Sequence, residues 1–391
     1  MSPDLPFDII VLIIDIVEEN KDTNLLKQLA LVSHSFFQIC RKHLFATVEL
    51  HDAAPNRFIA SSKKGFVKLL KSRPDIVKFI RKLTYNVPPK WHKKTDDHLL
   101  SPILLNLFPT FSHLNSLSIN ISFRDWNKLD ASLTSALLHL MHLPTINHID
   151  LSSIRNFPLS CLTPSVNLLR LDISDILEED GFPEIVVEMM PKIREFYTSE
   201  STLLTTKLLH AKIPDGRPAF NFMDLTRLSI SSYQYEDERN IGYLLQNAKL
   251  LEELDIEVDH GRSLVGLLSY SARTLKTLYL WTTLSWDKSV FLGGICEELE
   301  AMAGHNMLEA LTFQIRVVER DTEEFIGSII QKVETVLVKP GWSMLRQVSF
   351  ELQIFTNRRK LCEALQSLPD KYLSHLSKLE SVAFSYSARA V

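Results

Sequence analysis

Glycine is the first shortage, with 11 residues in a chain of 391, about 3% against a usual 7%. Loops that cradle phosphates and tight hairpins both need backbone without a Cβ, so the chain has little material for either. Cysteine is also sparse: Cys40, Cys161, Cys296 and Cys362 show no paired spacing. That pattern fits reduced thiols in a cytosolic or nuclear protein and argues against a disulfide frame or a zinc site. Long apolar runs are missing too. The longest early one, Ile9 to Ile14, is six residues and is closed by Asp15, whereas a membrane span needs about 20. The N-terminus carries Asp4 and no basic stretch ahead of an apolar one, so it does not read as a secretory signal. Basic excess is absent, since the net charge is -4, and this argues against nucleic acid or an anionic membrane as a partner. GxGxxG, GxxxxGK[ST], GxSxG, HExxH and CxxC do not occur. The expectation is a protein with no catalytic residues, no metal and no cofactor.

Leucine is what the chain has instead, at about one residue in six, well above its usual share. From residue 80 onward an apolar-x-x-apolar-x-apolar pattern recurs. It appears as Ile80-Leu83-Tyr85, Leu114-Leu117-Ile119, Ile146-Ile149-Leu151 and Leu168-Leu171-Ile173, then weakly as Ile193-Phe196-Thr198. Leu225-Leu228-Ile230, Leu251-Leu254-Ile256, Leu275-Leu278-Leu280, Leu308-Leu311-Phe313, Leu345-Val348-Phe350 and Leu379-Val382-Phe384 follow. Successive starts lie about 22 to 37 residues apart, the range of solenoid repeats. Helical patterns fill the gaps: 131–140, 184–190, 241–248, 264–271, 290–302, 323–337 and 360–365. Each copy reads as a short strand followed by a helix. A strand and a helix cannot bury each other alone, but stacked copies share one core. The pattern resembles leucine-rich repeats, without the Asn or Cys that normally follows the strand. The resemblance implies an α/β fold, an irregular right-handed solenoid with parallel strands and helices outside. A compact α/β sheet is the alternative.

The first fifty residues read as three short helices. Pro6 and Asp8 open the first, Asp22-Thr23 caps the second, and Ser33 caps the third. Helix one is apolar all round, more than a piece of some 45 residues can bury by itself. Leu5-Pro6-x-Asp8-Ile9-Ile10-x-x-Ile13, then Leu26-x-x-Leu29-Ala30-x-Val32-Ser33-x-x-Phe36, then Cys40-Arg41 and Leu44-Phe45, resemble an F-box. The match is to fungal, particularly mushroom-type, F-box proteins. The resemblance implies that Leu5, Pro6, Ile9, Ile10, Ile13, Leu29, Val32, Ser33 and Phe36 bind a Skp-type adaptor, and a cullin through it. The alternative is an ordinary three-helix cap on a solenoid. The expected organisation is a head over 1–50, a basic linker with the first repeat over 51–98, and the solenoid over 99–391.

Residues 57–94 carry twelve Lys and Arg against one acid, Asp75. Phe66, Val67, Leu69 and Leu70 place an amphipathic helix among them. The segment reads as a solvated face, as a dock for an acidic partner, or as a nucleic-acid contact. Lys90 to His98 reads as an exposed loop, whose His92, Asp96, Asp97 and His98 form a weak metal candidate. His139 and His142 share a helical face but have no third ligand nearby in sequence. Glu178-Glu179-Asp180 and Glu236-Asp237-Glu238 read as solvated loops.

If the strands stack in parallel, Leu171, Leu228, Leu254 and Leu278 point inward, and Asp172, Ser229, Asp255 and Tyr279 are surface positions. One outward patch differs from its small polar neighbours: Glu253, Asp255 and Glu257, beside Tyr279 and Trp281. It reads as a site for a basic, partly apolar target segment, or as an acidic stripe that is solvated or pairs with Arg227. The expected function is a cytoplasmic or nuclear substrate receptor of an SCF-type ubiquitin ligase with an unknown protein target. An interaction scaffold without ubiquitin transfer and an enzyme of unrecognised type stand as alternatives.

Overall fold

The computed structural model describes residues 6–20, 22–51, 60–87, 111–176, 190–199, 201–213, 215–231, 237–258, 266, 268–283, 294–318, 322–355 and 359–390. The chain is α/β and forms two compact units, Met1–Pro191 and Lys192–Val391. Leu5, Arg57, the segment from Lys90 to His98 and Glu178-Glu179-Asp180 lie outside the described residues.

The first unit opens with three helices: α1 (Phe7–Glu19), α2 (Thr23–Leu29) and α3 (His34–Leu44). Pro6 needs no N–H at the start of α1, and its carbonyl accepts from Ile9 and Ile10 N–H at 3.0 and 3.2 Å. The Asp22 carboxylate caps α2 by accepting from Leu25 N–H at 3.0 Å, and Ser33 Oγ caps α3 by accepting from Phe36 N–H at 3.3 Å. Arg41, Lys42 and His43 place positive charge in the last turn of α3, where the helix dipole favours it. Ile10, Ile14 and Val17 point from α1 into a small core with Leu26, Ile39 and Cys40. Their i, i+4, i+7 spacing uses one side of the helix.

The helices end before Leu50. Thr47–His51 is a strand, β1, whose Val48 and Leu50 are buried while Thr47 and Glu49 face out. A β-branched, period-two stretch wins over the helical pattern there. Beside it run β2 (Ala60–Ser62), β3 (Lys82–Asn86), β4 (Ser116–Asp125), β5 (His148–Arg155) and β6 (Arg170–Ser174). All pairs are parallel, in the order β2-β1-β3-β4-β5-β6. The crossovers include α4 (Lys63–Ser72), the helix Ala131–Met141, and 3-10 turns at Pro74–Phe79 and Leu159–Cys161.

The second unit repeats the arrangement with β7 (Glu195–Ser199), β8 (Arg227–Ser231), β9 (Glu253–Val258), β10 (Thr277–Thr283), β11 (Ala310–Val318), β12 (Gln347–Phe355) and β13 (Ala383–Ala390). These too pair in parallel and in sequence order. In-order parallel pairing makes each strand-and-helix step a repeat, as the apolar pattern predicts. The register holds as well: Leu228, Leu254, Leu278 and Leu311 follow one another across β8 to β11 and are 0–1% exposed. Leu171 is equally buried.

Several connections differ from expectation. Thr202–His210 is a helix that the apolar pattern does not announce. Of the helix expected over 264–271, the described part is one 3-10 turn, Leu268–Tyr270. The buried Glu298 accepts from Leu268 N–H at 2.8 Å and from Gly266 N–H, so the turn is satisfied without helical continuation. The helix expected from residue 290 begins at Ile295, after Gly294 in a left-handed conformation with φ 82°. Asp237 and Glu238 open the helix Asp237–Asn247 and are not loop residues. Glu236, and all of 184–190 except Met190, lie outside the described residues. Among the described residues, no helix is long and apolar enough to cross a membrane.

Candidate interaction surfaces

On the three-helix head the expected adaptor residues divide. Ile10 belongs to the core, and Ile13, Leu29 and Phe36 are half-buried. Ser33 spends its hydroxyl on the α3 cap. Pro6, Ile9 and Val32 are exposed. Residues outside that set extend the exposed apolar surface: Phe7 is 59% exposed, Leu12 58%, Ile16 49% and Leu31 87%, with Val32 at 65%. At about 100° per residue, Ile9, Leu12 and Ile16 fall on the side of α1 opposite Ile10, Ile14 and Val17. Apolar side chains of this size, grouped on one helix, mark a surface built to be covered. The all-round apolar run of α1 signals it in sequence. Leu31 carries no such signal, because it follows the last turn of a short helix.

The basic segment is less free than its composition implies. Lys63, expected on a solvated face, is 1% exposed, with Nζ 3.2 Å from the Tyr85 hydroxyl and 4.3 Å from the ring centroid. A buried ammonium needs such partners. Asp75 is shared between Arg41 at 3.3 Å and Arg73 at 3.2 Å. The Arg73 hydrogen bond, first among the causes, holds the Asp75 carboxyl below the usual carboxylate value.

The outward positions of the strands form cross-strand polar ladders. In the first unit Ser118 Oγ donates to Asp150 at 2.8 Å. His148 meets Ser116 Oγ through Nδ1 at 3.0 Å and Asp172 through Nε2 at 3.1 Å. Arg170 donates to the same Asp172, 3.0 Å from Nη2. Burial pushes the Asp150 carboxyl up, against the Ser118 hydrogen bond. Burial also works to raise Asp172, but bonds from His148 and Arg170 hold it below the usual value. Ser116, His148 and Asp172 are the residue types of a hydrolytic relay. Here, however, Ser116 N–H donates within the sheet to Arg81 O at 3.1 Å. Two residues along the same strands, the Ser118–Asp150 link has counterparts in the second unit at Ser229–Asp255 and Ser231–Glu257. Recurrence at equivalent positions identifies a sheet ladder.

In the second unit the structure brings Glu253, Asp255, Glu257, Tyr279 and Trp281 together, with Asp255 paired in register to Tyr279 and Glu257 to Trp281. Each carboxylate has an internal partner. Glu253 takes Arg227 at 2.8 and 2.9 Å. Asp255 takes Ser229 at 3.2 Å and Trp281. Glu257, itself buried, takes Ser231 and lies 3.7 Å from Arg316. Burial pushes the Asp255 carboxyl up, and the neighbouring Glu253 and Glu257 add to the rise. Tyr279 is exposed at the edge of this patch. Asp172, Ser229 and Asp255 are therefore half-buried, hydrogen-bonded ladder members, which corrects the expectation that they are plain surface positions.

His139 and His142 line a cleft of about 730 Å³ between the helix Ala131–Met141 and the turn Leu159–Cys161, with Trp126, Asn127, Ser135 and Cys161. His142 Nε2 is 2.8 Å from Cys161 O, so one imidazole is already engaged by the backbone. Among the described residues no three His, Cys, Asp or Glu are placed to hold a metal. Burial pushes the Cys161 thiol up to about 11, which leaves it protonated at neutral pH.

No family model matches the sequence, and no curated protein matches it. Among solved structures, the chain is similar to a protein from Bacteroides fragilis, a structural-genomics crystal structure. The identity is 12% and the TM-score 0.31, over 84% of this chain and 71% of that one. A likeness at that level carries neither fold nor function across.

Proposed function

We propose that this chain is the substrate-recognition subunit of an SCF-type cullin-RING ubiquitin ligase, with the three-helix head as an F-box and the repeat sheets as the target-holding part. The exposed apolar side of α1 carries the reading. Ile9, Leu12 and Ile16 face away from the head's own core, and interface cores are built from such residues. The order of Leu5, Pro6, Ile9, Ile10, Ile13, Leu29, Val32, Ser33 and Phe36 supplies the resemblance, and the surface supplies the physical reason for a partner. Pro6, Ile9 and Val32 would touch the adaptor, while Ile10, Leu29 and Phe36 would hold the helices that present them. A Skp-type adaptor is the partner, with a cullin bound through it. The target would meet the outward strand positions, with Tyr279 as an accessible aromatic anchor beside the Asp255 ladder.

The test is co-expression of the full chain with a Skp-type adaptor and its cullin, followed by affinity capture. Wild-type protein should carry both through purification. Leu12→Lys with Val32→Lys should lose them without a change in thermal midpoint, because both side chains are exposed. Central anchors of such surfaces are typically worth about 2 kcal/mol each. Failure of the wild type to capture adaptor, or undiminished capture by the variant, overturns the reading. Capture of adaptor without cullin would leave an interaction scaffold without ubiquitin transfer.

A further inference from the structure

Asp150, Asp172 and Asp255 are the third residues of β5, β6 and β9, and all face outward. The first two are answered by cations. Asp172 accepts from Arg170 at 3.0 Å and meets His148 at 3.1 Å, while His148 and Lys82 act on Asp150. Asp255 is different. Its partners are neutral: the Ser229 hydroxyl at 3.2 Å and the Trp281 indole N–H. Glu253 and Glu257 flank it on its own strand and repel it. The arginines at hand are committed to those flanking acids, since Arg227 clasps Glu253 and Arg316 lies 3.7 Å from Glu257. Among the described residues no cation is paired with Asp255, although it is half-buried. A partly dry carboxylate ordinarily has a positive partner.

The surroundings of Asp255 are shaped to receive one. On the β10 side stand Tyr279, its register partner and 36% exposed, and Trp281, the register partner of Glu257. On the β8 side the register partner is Ser229, too short to cover the carboxylate from above. With strands about 4.8 Å apart, the carboxylate and the ring of Tyr279 lie within reach of one incoming side chain. Ring faces attract cations, and the flanking acids add to the negative field. The hydrogen bonds already made select among cations. Ser229 and Trp281 both donate to the Asp255 carboxylate, so a guanidinium fork, which wants two parallel bonds to both oxygens, would have to displace a donor. An ammonium needs only one remaining lone pair. Lysine also brings an apolar stem that can lie along a ring.

We infer that this notch takes a lysine side chain of the target, with the ammonium on Asp255 and the methylene stem against Tyr279. The inference rests on the reading of the strand faces as the target-holding part and names the side chain held there.

The experiment is selection of short random peptides on the immobilised full chain, keeping those retained by wild type and not by Asp255→Asn, followed by titration of a selected peptide in solution. The retained sequences should share a lysine. Acetylating that lysine, or replacing it with norleucine, should weaken binding to wild type by at least about tenfold, because a charge-assisted hydrogen bond is lost. The same change should make little difference to Asp255→Asn, since the charge it would meet is already gone. Arginine in place of lysine should bind several-fold more weakly. Tyr279→Ala, a change at an exposed side chain, is the second variant and should weaken the lysine and norleucine peptides alike. Thermal melts show that both variants are folded. Adaptor capture by Asp255→Asn should match wild type, so failure of the notch and failure of the ligase reading fall in separate measurements. If no peptide distinguishes the two proteins, or those that do lack lysine, the inference is overturned; an arginine peptide bound as tightly as the lysine one overturns the choice of lysine.

Discussion

Arg227 on β8 clasps Glu253 on β9 through two nitrogens, Nε at 2.8 Å and Nη2 at 2.9 Å from separate carboxylate oxygens. The two residues are Cα partners in the parallel ladder. The pair decides how the acidic strand behaves, because it removes one of three carboxylates from whatever the sheet face meets. The Glu253 hydrogen bond also raises Arg227 above its ordinary value, so the guanidinium stays charged throughout any working pH.

Both members of that pair are over 30% exposed. Solvent screening therefore limits its contribution to stability to about 0–1 kcal/mol. Arg227→Ala, Glu253→Ala and the double variant, compared by urea titration, should give a coupling energy inside that range. A coupling of several kcal/mol would mean that the pair is far drier than its exposure indicates.

The strands were legible because a two-residue period with leucine at fixed offsets has only one cheap arrangement, and Leu228, Leu254 and Leu278 occupy it. The polar ladder between them was not. Whether Ser229 meets solvent or Asp255 depends on which residue lies across the strand gap, and one strand's sequence does not contain its neighbour's register. Crossovers were the least readable part. Leu268–Tyr270 is held by the carboxylate of Glu298, some thirty residues later, and no local pattern anticipates a partner so distant. On the head, the apolar surplus of α1 was visible, but which side of it would stay uncovered required the core of Ile10, Ile14 and Val17 to be placed.

Leu228→Ala, Leu254→Ala and Leu278→Ala should each destabilise the protein by about 2–5 kcal/mol, since each leaves a cavity in a closed layer. Tyr279→Ala, on the opposite face of β10, should cost far less. Chemical denaturation of the four variants checks the ranking, and a reversed order would place the strand register one residue away.

Two buried glutamates act as caps for turns of neighbouring repeats, Glu298 for the preceding one and Glu334 for the following one. Glu298 accepts from Gly266 and Leu268 N–H, and Glu334 Oε1 accepts from His375 and Leu376 N–H at 2.8 and 2.9 Å. Glutamine keeps one carbonyl oxygen but turns an NH2 group towards donors or apolar surroundings. Glu298→Gln should leave a buried donor unpaired and cost about 1–3 kcal/mol. Glu334→Gln should cost less, because one oxygen serves both N–H groups there. Thermal melts of the two variants, with the alanine versions as upper limits, test the difference.

The ladder carboxylates predict opposite responses to pH. Asp255 and Asp150 are pushed up in the folded state, chiefly by burial. Their contribution is fully present below the unfolded value, about 4, and is lost as pH rises through the higher folded value. Asp172 is held below the ordinary value by His148 and Arg170 despite its burial. Its contribution is present above about 4 and is lost as pH falls through the folded value. Asp255→Asn should therefore flatten the decline in stability on the alkaline side of pH 4, and Asp172→Asn should flatten the decline on the acid side. Urea midpoints measured from pH 3 to 7 distinguish them. Identical profiles for both variants would mean that the two ladders share one electrostatic environment.

The head should behave as two surfaces with separate costs. Ile14 is fully buried and Leu12 is 58% exposed, although both are large aliphatic residues of the same helix. Ile14→Ala opens the small core and should cost about 2–5 kcal/mol. That core holds few residues to share the loss, so the head should loosen before the sheets do. Leu12→Gln removes an exposed apolar side chain and should change stability by no more than about 0.5 kcal/mol. Hydrogen exchange across 7–44 gives the local readout that a whole-chain melt would blur. Rapid exchange in Ile14→Ala with wild-type protection in Leu12→Gln is the expected pair of results. Equal loss of protection in both would mean that Leu12 is part of the packing of the head, and that the outer side of α1 serves its own fold instead of a partner.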